Sequence, residues 1–257
     1  MRFASLGSGS AGNALVVEHD GTRLMLDCGF SLREMQSRLD RLGLLPEQID
    51  GILITHEHDD HAGGAFRLAA RYGIGIWATH GTVRASQRHM ADTCATAMNV
   101  IDSHSPFSIG SLEVHPYPVP HDAREPVQFV FSDGIRKLGV LTDTGASTPH
   151  IETMLSGCHA LMLECNHDLT MLMNGPYART LKQRVSGRFG HLDNSAAAAL
   201  LRNLDNSRLQ HIIAAHLSEK NNTPDLATAA LSEALGCEQG WVGIAHQTEG
   251  FDWRQID

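Results

Sequence analysis

Short apolar blocks, broken by glycine and polar residues every few positions, run through the first thirty residues and predict strands there rather than helices. Strands are expected at 2–6, 14–18 and 22–27. A glycine- and serine-rich turn at 7–13 separates the first two. A His19-Asp20-Gly21 turn separates the next pair, and Asp-Gly between apolar runs is a strong hairpin signal. Ser31 and Glu34 have the spacing of a capping box at the head of a helix over 31–42. Further on, strands are expected at 51–55, 74–79, 112–119, 127–132, 137–142, 160–164 and 211–215. Helices are expected at 65–72, 177–185, 194–204 and 226–235. The β-rich start passes into mixed β and α with no linker, repeat or low-complexity break. This predicts an α/β chain folded as one domain over 1–257.

Composition narrows the classes. No apolar run reaches the length that spans a bilayer, and the N-terminus lacks a secretory apolar core, so no membrane partner is expected. The five cysteines (28, 94, 158, 165, 237) are odd in number and without paired spacing, which suits reduced thiols in the cytoplasm. A net charge of −9 argues against a whole basic face gripping nucleic acid, though a local positive patch around bound metal remains compatible with it. Sixteen histidines in 257 residues change the picture most, because three of them fall within six positions.

Thr55-His56-Glu57-His58-Asp59-Asp60-His61 follows the expected strand at 51–55 and precedes the helix at 65–72. Three imidazoles and Asp60 within six residues are costly neighbours unless they bind something. A loop at a strand's carboxyl end can aim His56 and His58 at one ion, and Asp60 and His61 at a second. Imidazole nitrogen and carboxylate oxygen suit Zn²⁺, Mn²⁺ or Fe. Two coordination spheres need further ligands, and His121, Asp143 and His216 each follow an apolar run, where an α/β sheet places its site. An isolated histidine is usually a surface or core group; the repeated strand-then-ligand arrangement argues otherwise here.

His-x-His-x-Asp-His resembles the metallo-β-lactamase superfamily motif, and Asp27, His121, Asp143 and His216 follow its order. The resemblance narrows to the YycJ/WalJ-like family of bacterial metallohydrolases, to which exonuclease activity is attributed. Its narrower signals are Leu163-Glu164-Cys165-Asn166-His167-Asp168, Gly190-His191-Leu192-Asp193-Asn194 and His216-Leu217-Ser218-Glu219-Lys220-Asn221-Asn222. It implies an αββα four-layer sandwich with two divalent ions at one edge. It assigns His56, His58 and His121 to the first ion, Asp60, His61 and His216 to the second, and Asp143 to both. Asp27 would support the ligands from behind. Two ions about 3.5–4 Å apart can share a hydroxide that attacks phosphorus or a carbonyl carbon, with Asp60 orienting its proton. In ribonuclease Z-like relatives a histidine backed by a glutamate protonates the leaving group. Here His191 and Glu164 fall in the matching interval, while His167 is a further candidate nearby.

Arg179, Lys182, Arg184 and Arg188 fall within ten residues that contain no acid, a local patch suited to phosphate. With the resemblance, this points to phosphodiester hydrolysis on nucleic acid, DNA before RNA. The alternatives are a small-molecule metallohydrolase (thioesterase, lactonase or cyclic phosphodiesterase) and a non-catalytic, metal-stabilised binding protein. The 41 residues after His216 (217–257) are too few for a glyoxalase II-type substrate domain, and the interval from Asp143 to His216 is too short for a β-CASP cap. Gly7-x-Gly9-x-x-Gly12 fits a dinucleotide fingerprint, but the expected strand at 14–18 stands where a helix is needed, so no nucleotide cofactor is expected. Those glycines instead let a hairpin loop approach the site, where Ser10 or Asn13 would contact substrate.

Overall fold

The computed structural model describes residues 1–90 and 97–257; Cys94 lies outside the described residues. Apolar residues on both faces of the strands decide the architecture. In β2 (Ala14–His19), Leu15 and Val17 enter one core while Ala14 and Val16 enter another. A strand buried on both faces reads as a continuous apolar run instead of an alternation.

One sheet contains β1 (Arg2–Gly7), β2, β3 (Thr22–Leu26), β4 (Gly51–Leu53), β5 (Gly75–Thr79) and β6 (Met98–Ile101). The second contains β7 (Phe107–Ile109), β8 (Leu112–Pro118), β9 (Val127–Ser132), β10 (Lys137–Leu141), β11 (Ala160–Glu164), β12 (His211–Ala215) and β13 (Gly243–Ile244). The last strand, β14 (Phe251–Gln255), returns to the first sheet beside β1. The spatial orders are β14-β1-β2-β3-β4-β5-β6 and β13-β12-β11-β10-β9-β8-β7. Each sheet is antiparallel in one half, whereas β3 to β6 and β10 to β13 run parallel.

Phe3, Leu24, Leu53, Phe129, Phe131, Val140 and Ile213 belong to the core between the sheets. Outside the first sheet, Met35 and Leu39 of helix Leu32–Arg41 and Phe66 and Leu68 of helix Ala65–Tyr72 pack on Val16, Met25, Ile52 and Ile76. Outside the second, helices Pro149–Leu155, Asn194–Asn203 and Pro224–Leu235 bring Ile151, Leu201 and Leu231 against Leu161, Leu163 and Ile212. The result is the expected αββα sandwich. No helix among the described residues is long and apolar enough to cross a membrane.

Local signals hold where chain chemistry alone decides. Asp20 and Gly21 both take positive φ in the β2–β3 hairpin, and Ser31 accepts the Glu34 N–H as an N-cap. The capping box is incomplete, however, because Glu34 pairs with Arg38 instead of returning to Ser31. The pattern did not reveal the short edge strands β6, β7, β13 and β14, nor the helices Asp59–Ala62, His80–Ala85, Gln87–Met90, Pro149–Leu155 and Leu169–Asn174. Most are too short to complete a period. Cys28, Cys158, Cys165 and Cys237 are free thiols. Cys28 packs in the core outside the first sheet, where burial pushes its thiol up to about 12.

The turn after β3 is sewn to the metal-motif loop. The Cys28 N–H donates to the His61 carbonyl at 2.7 Å and the Gly64 N–H to the Cys28 carbonyl at 2.8 Å. A Cβ on Gly29 would stand 1.9 Å from the Asp60 carbonyl oxygen, which is backbone and cannot swing aside. Gly29→Ala should therefore destabilise the fold by about 1–3 kcal/mol. Gly240→Ala, with nothing within 4 Å of its Cβ, should stay within about 0.5 kcal/mol of the parent. Urea unfolding midpoints check both; an unshifted midpoint for Gly29→Ala would refute the tight apposition.

Candidate metal centre

The site forms where strands of both sheets run out. Asp27 follows β3, His56 to His61 follow β4, Asp143 follows β10, Glu164 ends β11 and His216 follows β12. His121 arrives from the β8–β9 connection. Asp27, Asp143 and His216 take left-handed backbone conformations, with φ of 60°, 51° and 54°. Such geometry costs non-glycine residues on the order of 1–3 kcal/mol each and clusters at functional sites.

Buried carboxylates orient the imidazoles. Asp27 accepts the Thr55 N–H at 2.8 Å, the Thr55 hydroxyl at 2.9 Å and His61 Nδ1 at 2.8 Å. With its proton on Asp27, the Thr55 hydroxyl oxygen accepts from His56 Nδ1 at 3.0 Å. On the other sheet Glu164, fully buried, faces His191 Nδ1 at 2.8 Å and His216 Nδ1 at 3.2 Å with Oε1. Its Oε2 accepts the Thr144 and Leu192 N–H groups. His121 donates Nδ1–H to the Gly190 carbonyl at 3.1 Å. His56, His61, His121 and His216 thus all keep Nε2 for whatever lies between them, while His58 Nδ1 sits 3.0 Å from His56 Nε2.

Among the described residues, donor atoms within 4.8 Å of one another form the sets His56–His58–His121 and Asp60–His61–His216. Asp143 joins His56 and His61 in one set and Glu164, His191 and His216 in another. Asp143 Oδ2 is 3.0 Å from His61 Nε2, and His216 Nε2 is 3.6 Å from Asp60 and 3.5 Å from Asp143. Yet His121 Nε2, His216 Nε2 and Asp143 Oδ2 are buried without a hydrogen-bond partner. Polar atoms converging this closely without bonding one another are aimed at a shared cation.

The charges agree. Burial raises Asp60, Asp143 and Glu164, but the surrounding imidazoles overcome it and hold all three below the ordinary carboxylate range. Burial also lowers His61 and His216, and here Asp143, Asp60 and other carboxylates outweigh it and keep both protonated. Burial does prevail at His56 and His121, which are neutral. Anionic oxygens and neutral imidazoles are what a divalent cation needs, so His61 and His216 would each give up a proton to an ion, whereas His56 and His121 need not. The residues present fit two such ions.

A cavity of about 300 Å³ opens over these groups, lined among others by Ser10, Asp122, Tyr177, Leu181, Arg184 and His191. The site residues expected from sequence divide accordingly. His56, His58, Asp60, His61, His121, Asp143 and His216 converge, Glu164 and His191 adjoin them, and Asp27 lies behind. Asn13 was expected to contact substrate, but it is buried. Its Nδ2 lies 3.1 Å from His61 Nε2 and its N–H donates to the Asp60 carbonyl, so it positions the motif loop. Of the four clustered cations only Arg184 lines the cavity, its Nε 2.6 Å from Asp122 Oδ2. Lys182 donates to the Met173 carbonyl, and Arg179 and Arg188 are not among the cavity's lining residues. His167 is buried and bridges to Asp193, away from the cavity lining. Sequence reasoning missed Asp122, Tyr177 and Leu181 as lining residues. It also missed Thr55 and Ser8 as supports; the Ser8 hydroxyl accepts the His216 N–H at 3.0 Å.

Known proteins agree with this geometry. The beta-lactamase superfamily domain family matches residues 22–212. Over 253 residues the chain is 34% identical to the exodeoxyribonuclease YycJ of Bacillus anthracis, an alignment covering 98% of this chain and 96% of that protein. It is 32% identical over 246 residues to the exodeoxyribonuclease WalJ of Streptococcus pneumoniae, covering 95% and 91%. The solved structure of the metallo-β-lactamase fold protein YhfI from Bacillus subtilis superposes with a TM-score of 0.75 at 17% identity over 98% of each chain. With its two facing sheets and converging donor sets, the chain belongs to the metallo-β-lactamase superfamily of metal-dependent hydrolases, in the YycJ/WalJ-like family.

Proposed function

We propose that this chain is a DNA exonuclease that hydrolyses phosphodiester bonds with two divalent ions, Zn²⁺ or Mn²⁺. The observation that carries this reading is His191, backed by Glu164, on the wall of a cavity whose floor holds two metal-binding donor sets. The near full-length likeness to two proteins named exodeoxyribonuclease supports DNA as the substrate. The four free thiols suit a reducing compartment such as the cytoplasm.

His56, His58 and His121 would hold one ion, Asp60, His61 and His216 the other, and Asp143 both. Bound there, the ions supply Lewis-acid charge and make water acidic enough to yield a nucleophile near neutral pH. The chain's own groups do the rest. The Asp60 carboxylate would accept a hydrogen bond from the water whose oxygen attacks phosphorus and so orient its proton. As the new P–O bond forms, the bond from phosphorus to the departing sugar oxygen breaks, and His191 gives that oxygen a proton from Nε2. Burial opposes the charged form of His191, but Glu164 overcomes it and keeps the imidazole protonated. Arg184 and Ser10, which line the cavity, would receive the substrate's phosphate oxygens.

Metal-loaded protein should degrade end-labelled DNA, and Asp60→Asn purified in the same way should lose at least about a thousandfold in rate. Absence of cleavage by protein shown to hold two ions would sink the nuclease reading. His191→Ala should slow DNA cleavage by about 100- to 10,000-fold yet spare a p-nitrophenyl phosphodiester, whose leaving group needs no proton. Equal losses on both substrates would remove His191 from the proton-donor role.

Metal binding should also carry a proton signature. His61 and His216 have raised pKa values, so both are protonated at neutral pH and must release that proton to accept an ion. Affinity for the second Zn²⁺ should therefore climb as pH rises from 6 to 8. Calorimetric titration in buffers of different ionisation enthalpy should find protons released on binding. Zero release would contradict the paired carboxylate–imidazolium arrangement.

A further inference from the structure

We infer that the cavity is a subsite for one terminal nucleotide, with Tyr177 and Leu181 as the wall against which its base stacks and Arg184 as the contact for its phosphate. This rests on the phosphodiesterase reading and names what that site accepts. The cavity has two chemically different sides. One consists of the metal-binding donors; the other is Tyr177, Leu181, Arg184 and Val185, from helix Arg179–Val185 and the residues just before it. Its volume of about 300 Å³ is at the small end for a ligand pocket and is enough for one nucleotide.

Aromatic residues are scarce in this chain, with only three tyrosines. Tyr117 is fully buried between the second sheet and its helices, and Tyr72 packs on the outer face of the first sheet. Tyr177 alone of the three lines the cavity. It is half-buried, and the Lys220 ammonium sits 5.9 Å from its ring centre. An aromatic face with cations beside it is the arrangement that holds single-stranded nucleic acid without reading its sequence. Leu181, 38% exposed, lies on the same helix as Arg184 and extends the apolar wall. Arg184 is held by Asp122, itself fixed by its N–H donating to the Phe189 carbonyl, so the guanidinium is pre-positioned at the rim. Base and phosphate contacts thus come from one short helix and the tyrosine preceding it, opposite the donors.

The test uses metal-loaded protein and single-stranded DNA ending in either an ordinary nucleotide or an abasic residue. Wild type should favour the base-bearing end by about tenfold or more in kcat/KM, mostly through KM. Tyr177→Ala should erase that preference and Tyr177→Phe should keep it. Arg184→Gln should weaken cleavage of both ends alike. Wild type that cleaves DNA but treats both ends equally would overturn the subsite alone. Tyr177→Ala retaining the full preference would do the same. Metal-loaded wild type that cleaves no DNA would overturn the nuclease reading, and the subsite with it.

Discussion

The site depends on two buried carboxylates, one from each sheet, that do not face the cavity. Asp27 at the end of β3 and Glu164 at the end of β11 each accept backbone N–H groups from a neighbouring segment and imidazole Nδ1–H groups from the site. One side chain therefore fixes both the course of a loop and the tautomer of the histidines on it. Asp27 reaches His61 directly and His56 through the Thr55 hydroxyl. Glu164 serves His216 and His191 with a single oxygen. A carboxylate this deep is expensive unless its lone pairs are satisfied, which ties sheet geometry to imidazole orientation. The two are opposed in one respect: burial dominates at Asp27 and raises its pKa, whereas imidazoles dominate at Glu164 and lower it.

The sandwich explains why the donors meet at all. In both sheets the parallel strands end on the same edge, so side chains distant in sequence arrive within a few ångströms. Left-handed residues at three of those ends, Asp27, Asp143 and His216, turn the chain sharply where the donors stand. Asp and His tolerate that conformation better than branched residues do, so the metal-ligating residue types are also the ones the backbone permits. Catalytic geometry and backbone strain are settled by one choice of residue.

How much of this was legible in the sequence follows from what each feature depends on. The long strands, the hairpin at Asp20-Gly21 and the dense His56–His61 motif are local, and each carries its own pattern. His121, Asp143 and His216 were legible because an apolar run ending in a ligand repeats. Asn13 misled: a polar residue in a glycine-rich loop resembles a substrate contact, and only the packing of that loop on Asp60 reveals a buried brace. The cation cluster misled in the same way, since spacing along a helix does not say which side chain faces the cavity, and only Arg184 does. Tyr177 carried no signal, because its meaning depends on the helix after it closing over donors from both sheets. Apart from His191 and His216, the segments specific to the narrower family supply supports. Asn166 donates to the His216 carbonyl, and Asn222 donates to the Cys165 carbonyl and exchanges amide hydrogen bonds with Asn194.

Charge then bears on how a polyanion would be handled. With a net charge of −9, the protein as a whole repels DNA, so long-range steering works against encounter. Attraction has to be short-ranged, from bound cations and from Arg184 at the cavity rim. An enzyme relying on a broad basic groove can hold the middle of a duplex, but here the cation that lines the recess of about 300 Å³ is Arg184. Only a chain terminus can enter such a recess without bending the strand sharply, and an end exposes fewer phosphates to the repelling surface than an internal segment does. On the nuclease reading, acidic surface and small cavity select against internal sites together, so end-directed cleavage follows from where the charge lies as much as from the shape of the pocket.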